Sequence, residues 1–141
     1  MNLIEECDFL KLSSENPITD FDCGINGLNA CTLRSTRDFF NHKAFLFQQE
    51  RLGQTYYFRS KETGKVVCAF SLSADSLKAA MLPGSRIKRV KELIPSEKAL
   101  QTYPALLIGM LGVSVEFSSQ GIGSLLNIIV ICNFPLWYGF L

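Results

Sequence analysis

One junction in the sequence joins a strand to a helix, and it reads Val113-Ser114-Val115-Glu116-Phe117-Ser118-Ser119-Gln120-Gly121-Ile122-Gly123-Ser124. Before it, residues 103–115 form a continuous apolar run, which predicts a central strand covered on both faces. After it, a helix is predicted to begin near residue 122 and to stop before Pro135. Its apolar residues recur at helical spacing and are Ile122, Leu125, Leu126, Ile129 and Val130.

The turn between this strand and this helix has the features of an anion-binding site. The first N–H groups of a helix lack partners within it, and Gly121 and Gly123 let a phosphate come close to the backbone. The turn has no lysine, which excludes a P-loop, and Leu126 stands where a Rossmann fingerprint has its third glycine. The residues therefore predict either a phosphate-bearing cofactor or a tight turn without a ligand.

The first third of the chain predicts a strand followed by helices. A strand is expected over Leu3–Leu12, because apolar residues are frequent there and a polar, proline-containing break follows. Helical spacing starts at Asn26, and Ser35 or Thr36 is expected to cap a second helix that ends at residues 51–53.

A hairpin is the clearest feature of the middle of the chain. Residues 54–59 and 66–72 are rich in β-forming residues and flank a turn that contains Gly64. No repeat or linker interrupts the chain, so we expect one domain over residues 1–141, of the α+β class.

The composition favours a globular protein of the reducing cytoplasm. The chain has 141 residues, 48% hydrophobic and 19% charged, with a net charge of +1, which excludes intrinsic disorder. The acidic N-terminus lacks the features of a secretory signal. Five widely spaced cysteines favour buried thiols over a disulfide framework, and we expect no metal site. The single histidine, His42, would have to belong to any catalytic triad.

Charge is unevenly distributed along the sequence. The final 25 residues carry no Asp, Glu, Lys or Arg. Because Asn127, Asn133 and Pro135 interrupt this apolar stretch and no basic residue flanks it, we expect a buried segment and no membrane span. In contrast, Lys78–Lys98 has a local excess of four positive charges, which indicates either a solvated face or a binding patch.

The junction and its surroundings resemble the GNAT superfamily of N-acetyltransferases, in particular a bacterial subgroup. Residues 111–117 match the strand of its signature, and residues 118–126 match the glycine turn and helix. Upstream, Phe21-Asp22-Cys23-Gly24, Leu28-Asn29 and Leu82-Pro83 add to the resemblance, which covers residues 3 to 126. It implies a mixed, mostly antiparallel sheet flanked by helices, and acetyl-CoA as co-substrate.

The resemblance also implies where the co-substrate binds. The backbone of Leu111, Gly112 and Val113 would pair with the pantetheine arm, and a bulge at Gly109 or Gly112 would admit it. Backbone amides of the turn would hold the pyrophosphate. They belong to Ser118, Ser119, Gln120, Gly121, Ile122, Gly123 and Ser124. At the first position of this turn the family has Gln or Arg, so Ser118 is a departure that removes a side-chain contribution.

A larger departure follows the helix. The family continues with a strand, a helix and usually a tyrosine near the thiolate, but only 18 residues follow Gly123, and Tyr138 is wrongly spaced for that role. We therefore expect the C-terminal part of the fold to be missing or replaced after about residue 126, and catalytic residues stay unassigned. Glu116 is expected to face solvent. Four hairpin residues are candidates for the acceptor site or for ordinary strand positions, namely Tyr56, Tyr57, Ser71 and Ser73.

Two functions follow from these expectations. The first is transfer of an acetyl group from acetyl-CoA to a primary amine, with aminoacyl-tRNA bound through Lys78–Lys98, a small amine or a protein N-terminus as acceptor. The second is a truncated, catalytically impaired module that binds partners or forms homo-oligomers through an exposed strand edge or the apolar tail. A weaker third interpretation is membrane association through that tail.

Overall fold

The computed structural model describes residues 1–24, 30–81, 83–93 and 102–133. The chain begins with a short helix and an edge strand, α1 (Leu3–Glu6) and β1 (Cys7–Lys11). The strand expected over Leu3–Leu12 is therefore confirmed for Cys7–Lys11 and wrong for Leu3–Glu6, which is helical. Asn2 caps the helical turn, because its Oδ1 accepts from the Ile4 N–H at 3.2 Å while its own N–H donates to Glu6 Oε1 at 2.9 Å.

The expected helical region runs from α2 (Ala30–Asp38) through a π-helical turn (Phe39–Lys43) into α3 (Ala44–Gln49). The predicted cap at Ser35 or Thr36 is wrong because both residues lie inside α2. Thr36 Oγ1 donates to the Thr32 carbonyl at 2.9 Å, as a hydroxyl inside a helix commonly does. Asn26, where helical spacing begins, lies outside the described residues.

A Schellman motif ends α3 at the predicted position. Arg51 has a positive φ of 58°, its N–H donates to the Gln48 carbonyl at 3.1 Å, and the Leu52 N–H donates to the Phe47 carbonyl at 2.9 Å. The chain can therefore turn directly from α3 into the hairpin.

The hairpin consists of β2 (Gln54–Ser60) and β3 (Val66–Lys78), and it confirms the sequence prediction, with β3 longer than expected. The strand order is β1–β2–β3–β4, where β4 is Thr102–Val113, and neighbouring strands run antiparallel. Phe9 lies opposite Phe58, and Tyr56 opposite Phe70. The α+β class is thus confirmed.

The strand predicted at the centre of the sheet lies at its edge among the described residues, because β4 has a neighbour only in β3. A 3-10 turn (Val115–Phe117) follows β4 and leads to α5 (Ile122–Asn133). The predicted helix start at Ile122 is confirmed. Ile122, Leu126 and Val130 are buried one turn apart along α5, as the apolar spacing indicated.

The chain divides into two compact units. One contains Met1–Ser73 and the chain from Ile108 onward, and the other contains Ala74–Leu107. The second unit includes a 3-10 turn (Ala79–Met81) and α4 (Gly84–Leu93). The described part of the chain has no helix of the length and hydropathy needed to cross a membrane.

The core of the first unit lies between the sheet and the segment α2–α3. It contains Leu12, Phe21, Phe40, Tyr57 and Ala69, all almost fully buried. Phe21 and Phe40 meet edge to face, with ring centroids 5.2 Å apart. This packing positions the loop before α2 against β4.

Candidate functional site

The outer edge of β4 presents the backbone groups of alternate residues. On its inner edge, the Ser114 N–H donates to the Val67 carbonyl at 2.8 Å and the Met110 N–H donates to Ser71 Oγ at 2.9 Å. Because backbone N–H groups alternate in direction along a strand, those of Leu111 and Val113 point to the outer edge, which has no neighbouring strand among the described residues. The N–H of Gly112 points toward β3.

The Ser71 hydroxyl contacts the backbone of β4. The Ser114–Val67 hydrogen bond sets the register of the antiparallel strands and places Met110 opposite Ser71. The Met110 N–H donates to the Ser71 hydroxyl. Gly109 lies beside this hydroxyl, since a Cβ there would be 3.2 Å from Ser71 Oγ. Ser71, one of the residues considered for an acceptor site, therefore shapes the backbone of β4.

Close packing against β4 requires a glycine at Gly112. A Cβ at this position would lie 2.8 Å from Phe21 Cζ and 3.0 Å from Thr36 Cγ2. Both neighbours are buried, so neither has free space to move into. The glycine thus lets the loop before α2 and helix α2 approach the strand closely.

The 3-10 turn after β4 is held by short-range hydrogen bonds. The Phe117 N–H donates to the Ser114 carbonyl at 3.0 Å, and Ser118 Oγ donates to the Val115 carbonyl at 2.9 Å. Ser118 therefore uses its hydroxyl within the turn. Glu116 is half-exposed, as expected, and pairs with Lys65 at 2.5 Å.

The backbone then reverses direction through two residues with positive φ. Ser119 has φ 64° and Gly121 has φ 73°. A serine in this left-handed conformation costs about 1–2 kcal/mol, so local strain is concentrated in this turn. Side chains of Ser118, Ser119 and Gln120 are exposed, so the turn is open to solvent.

Unpaired amides line the start of α5. The first hydrogen bond of the helix joins the Leu125 N–H to the Gly121 carbonyl at 3.1 Å, so the N–H groups of Ile122, Gly123 and Ser124 have no helical acceptor. Within residues 1–24, 30–81, 83–93 and 102–133, no acceptor contacts the N–H of Ser119, Gln120 or Gly121. A Cβ at Gly121 or Gly123 would meet no atom within 4 Å. Such a group of donors at a helix N-terminus suits a phosphate.

The loop Phe21–Gly24 lies against this junction. The Val115 N–H donates to the Asp22 carbonyl at 2.8 Å, and the Gly24 N–H donates to Asp22 Oδ1 at 2.9 Å. Two segments far apart in sequence, the loop and the junction, therefore meet at the end of β4.

Asn41 holds the same loop from the other side. Its Oδ1 accepts from the Phe21 N–H at 3.0 Å, and its Nδ2 donates to the Phe21 carbonyl at 2.8 Å and to the Arg37 carbonyl at 3.0 Å. This residue was not predicted from the sequence. An asparagine within an apolar helical pattern carries no local signal for such a contact.

The remaining hairpin candidates have structural contacts. Tyr57 is fully buried and donates to the Asn16 carbonyl at 3.2 Å, and burial raises the pKa of its hydroxyl. Tyr56 donates to Gln54 Oε1 at 2.7 Å. Ser73 is half-buried.

Other candidate chemistries have little support in the described residues. His42 is exposed in the π-helical turn. No group of three His, Cys, Asp or Glu side chains could hold a metal ion there. Cys7, Cys23 and Cys68 are buried free thiols, and burial raises the pKa of each.

Comparison with solved structures identifies the fold. A variant of KacT matches with a TM-score of 0.68 and 20% identity over 91% of this chain and 68% of that chain. AtaT complexed with acetyl-methionyl-tRNAfMet matches with a TM-score of 0.69 and 16% identity, over 92% and 69%. The chain has a GNAT fold.

A third structure with this GNAT fold is AtaTR bound with acetyl-CoA. It matches with a TM-score of 0.59 and 15% identity, over 94% of this chain and 73% of that chain. No protein-family profile and no curated protein sequence matches. The resemblance stated for the junction is thus confirmed at the level of the fold.

The basic segment contributes an exposed helix to the second unit. Arg86, Lys88 and Arg89 of α4 are exposed, and Glu92 is the acidic residue of the same helix. Residues 94–98 of the segment lie outside the described residues.

Proposed function

We propose that the chain is an acyl-CoA-dependent N-acetyltransferase that transfers an acetyl group from acetyl-CoA to a primary amine. One observation carries the proposal. Among the described residues, the amides from Ser119 to Ser124 have no acceptor and open to solvent at the N-terminus of α5, and the outer edge of β4 has no neighbouring strand, in a chain with the GNAT fold. The neighbour AtaTR, solved with acetyl-CoA, supports the choice of co-substrate.

The residues present fit this co-substrate. The open space at Gly121 and Gly123 lets a pyrophosphate approach the turn amides, and those of Ser119 through Ser124 would hold it. The expected contribution of Ser118 is not available in this structure, because its N–H donates to the Val115 carbonyl at 3.3 Å. The outward N–H groups of Leu111 and Val113 would pair with the pantetheine arm as a neighbouring strand does, with Gly112 between them facing β3. Acetyl-CoA supplies the activated thioester.

Catalysis would rest on placement and on backbone dipoles. An amine held beside the edge of β4 would attack the thioester carbonyl, which an amide of Leu111 or Val113 would polarise. The new C–N bond would form as the C–S bond breaks, and CoA would leave as its thiol with the proton that the amine gives up. The hydrogen bond from the Met110 N–H to Ser71 Oγ would help to fix the direction of these amides. Proximity alone can supply about 7–11 kcal/mol of the barrier in well-oriented reactions.

For the acceptor, we propose aminoacyl-tRNA. The exposed cations Arg86, Lys88 and Arg89 on α4 suit phosphate contacts, and AtaT, a neighbour in fold, was solved with acetyl-methionyl-tRNAfMet. The cytoplasm, where acetyl-CoA and charged tRNA both occur, is the proposed location.

Calorimetry with acetyl-CoA tests the co-substrate. Wild type should bind it, Gly123→Ala should bind it more weakly, and Gly123→Val should bind it least, because added bulk obstructs the phosphate. Since a Cβ at Gly123 meets no neighbour, thermal unfolding should show both variants folded. No binding by wild type at millimolar acetyl-CoA would overturn the proposal.

Titration of charged tRNA at several salt concentrations tests the acceptor. Replacing Arg86, Lys88 and Arg89 with Gln should lower the slope of log K against log salt by about one for each phosphate that the variant no longer neutralises. Unchanged slopes, with acetyl-CoA binding intact, would count against tRNA and leave a small amine or a protein N-terminus.

A second candidate function rests on the outer edge of β4, which has no neighbouring strand in the part of the chain that the structure describes. Unpaired strand edges recruit other strands, so the chain could instead act as a binding module or homo-oligomer without transferase activity. Size-exclusion chromatography with light scattering distinguishes the two functions. A dimer that acetyl-CoA fails to dissociate supports the module, and a monomer that binds acetyl-CoA supports the enzyme.

A further inference from the structure

An ion pair joins the β2–β3 hairpin to the 3-10 turn that precedes α5. Lys65 Nζ lies 2.5 Å from Glu116 Oε1, and both side chains are about half exposed. The strand register explains the pairing. Because the Ser114 N–H donates to the Val67 carbonyl, continuing the antiparallel register by two residues brings Lys65 opposite Glu116. The hairpin therefore places a cation at a turn that lies 51 residues further along the chain.

The backbone of Lys65 is fixed, whereas its side chain can change partner. The Ser60 N–H donates to the Lys65 carbonyl at 2.9 Å, and the Lys65 N–H donates to Thr63 Oγ1 at 3.4 Å. The next residue, Val66, is buried. From this anchored position extend a flexible four-carbon stem and an ammonium group with three donors. An exposed ion pair contributes little to stability, so the ammonium can exchange its acceptor at low cost.

The turn between β4 and α5 has no cation of its own. Residues 117–133 contain no Lys or Arg, and Ser118 uses its hydroxyl on the Val115 carbonyl. Glu116 lies three residues before Ser119, where the amides proposed to hold the pyrophosphate begin, so their α-carbons are at most about 11 Å apart. This distance is close to the electrostatic screening length of about 10 Å in 0.1 M salt. The charges of the ion pair therefore act on an anion in the turn.

We propose that Lys65 supplies the side-chain cation of the pyrophosphate site and passes from Glu116 to the phosphate when acetyl-CoA binds. The inference rests on the proposed function, since it requires a phosphate in the turn. A carboxylate and a phosphate both accept charge-assisted hydrogen bonds, so they compete for the same ammonium. Lys65 thus favours the ligand and Glu116 opposes it. The two members of one ion pair have opposite effects on affinity.

Calorimetry with acetyl-CoA at low salt tests this opposition. Lys65→Met should weaken binding by about fivefold to tenfold, the range for an exposed charge-assisted hydrogen bond, and Lys65→Arg should stay near wild type. Glu116→Gln should tighten binding by about twofold to fivefold, because it removes the competing charge. An ion pair with a merely structural role is broken equally by both substitutions. Weakening by both Lys65→Met and Glu116→Gln would therefore overturn the proposal.

Lys61→Met is the matched control, because it removes the same charge from the same hairpin turn. Lys61 Nζ donates to the Glu5 carbonyl at 2.9 Å, at the other side of the turn. This variant should leave the affinity for acetyl-CoA unchanged. Since Lys61, Lys65 and Glu116 are exposed, circular dichroism should show every variant folded. A loss of affinity in Lys61→Met equal to that in Lys65→Met would reduce the effect to net charge and overturn the proposal.

A series of ligands identifies the phosphate involved. S-acetyl-pantetheine lacks the pyrophosphate, so in competition with acetyl-CoA it should bind wild type and Lys65→Met equally. Acetyl-dephospho-CoA keeps the pyrophosphate and lacks only the 3′-phosphate, so it should show the full dependence on Lys65. Loss of that dependence would assign the cation to the 3′-phosphate and overturn the proposal.

The outcomes for acetyl-CoA separate this inference from the proposed function. If wild type and Lys65→Met bind acetyl-CoA equally well, the role of Lys65 is wrong and the proposed function stands. If wild type binds no acetyl-CoA, both are wrong.

Discussion

The ring of Phe21 occupies the space directly above the α-carbon of Gly112. A Cβ on Gly112 would lie 2.8 Å from Phe21 Cζ, well inside van der Waals contact. Phe21 itself is 1% exposed and rests edge to face on Phe40. The loop before α2 therefore meets β4 with no space to spare, beside the candidate site.

Gly112→Ala should lower the free energy of unfolding by about 1–3 kcal/mol, because the added methyl group overpacks a rigid contact. Urea unfolding monitored by circular dichroism measures this change. Gly123→Ala is the matched control, since its Cβ meets no atom within 4 Å, and it should be neutral or stabilising. In the background of Phe21→Leu, the cost of Gly112→Ala should shrink. Equal costs in both backgrounds would contradict the contact.

Asn41→Ala should destabilise the protein by about 1–3 kcal/mol, because it leaves the N–H and carbonyl of Phe21 without their partner. If the loop supports the end of β4, acetyl-CoA binding should weaken as well. Asn127→Ala on the exposed side of α5 is the control and should alter neither quantity. Wild-type stability in Asn41→Ala would refute the role of this side chain.

Arg51→Gly should stabilise the protein by about 1 kcal/mol, because glycine accepts the positive φ of 58° that arginine adopts with strain. Arg51→Ala serves as the comparison, since it removes the charge and keeps the strained backbone. Thermal unfolding of the three proteins measures the difference. An increase in midpoint that appears equally in both variants would point to the charge.

The Cys68 thiol should make the protein less stable in alkaline solution. Burial raises the pKa of Cys68 to about 12, with a smaller contribution from Cys7. Below the ordinary thiol pKa of about 8.5, the Cys68 thiol is protonated in both the folded and the unfolded state. Between there and about 12 only the unfolded state loses it, so the free energy of unfolding falls as pH rises, by at most about 1.4 kcal/mol per pH unit.

Urea unfolding at pH 7 to about 11 measures this dependence. Cys68→Ala removes the titrating group, so its stability should fall less steeply above about pH 9 than that of wild type. If the free energy of unfolding falls equally with pH in the two proteins, Cys68 contributes nothing to the loss of stability at alkaline pH.

Prediction from sequence succeeded where the signal is local. The hairpin, the start of α5 at Ile122 and the end of α3 near Arg51 each depend on residues close together in the chain, such as a turn glycine or helical apolar spacing. The expected strand over Leu3–Leu12 was half wrong because a capping asparagine, Asn2, competes with β-propensity in a short segment. The expected cap at Ser35 or Thr36 was wrong because a hydroxyl can also bond back within a helix.

The sequence by itself determined the α+β class and the glycine turn between β4 and α5, since both follow from periodicity and backbone freedom over a few residues. Only the tertiary structure decided what surrounds that turn. Three hydrogen-bonded pairs formed there, Val115 with Asp22, Asn41 with Phe21 and Met110 with Ser71. Gly112 packs against Phe21 in the same region. These contacts join segments 20 to more than 90 residues apart, and their partners are chosen by shape and hydrogen-bond geometry in three dimensions, which no local pattern encodes.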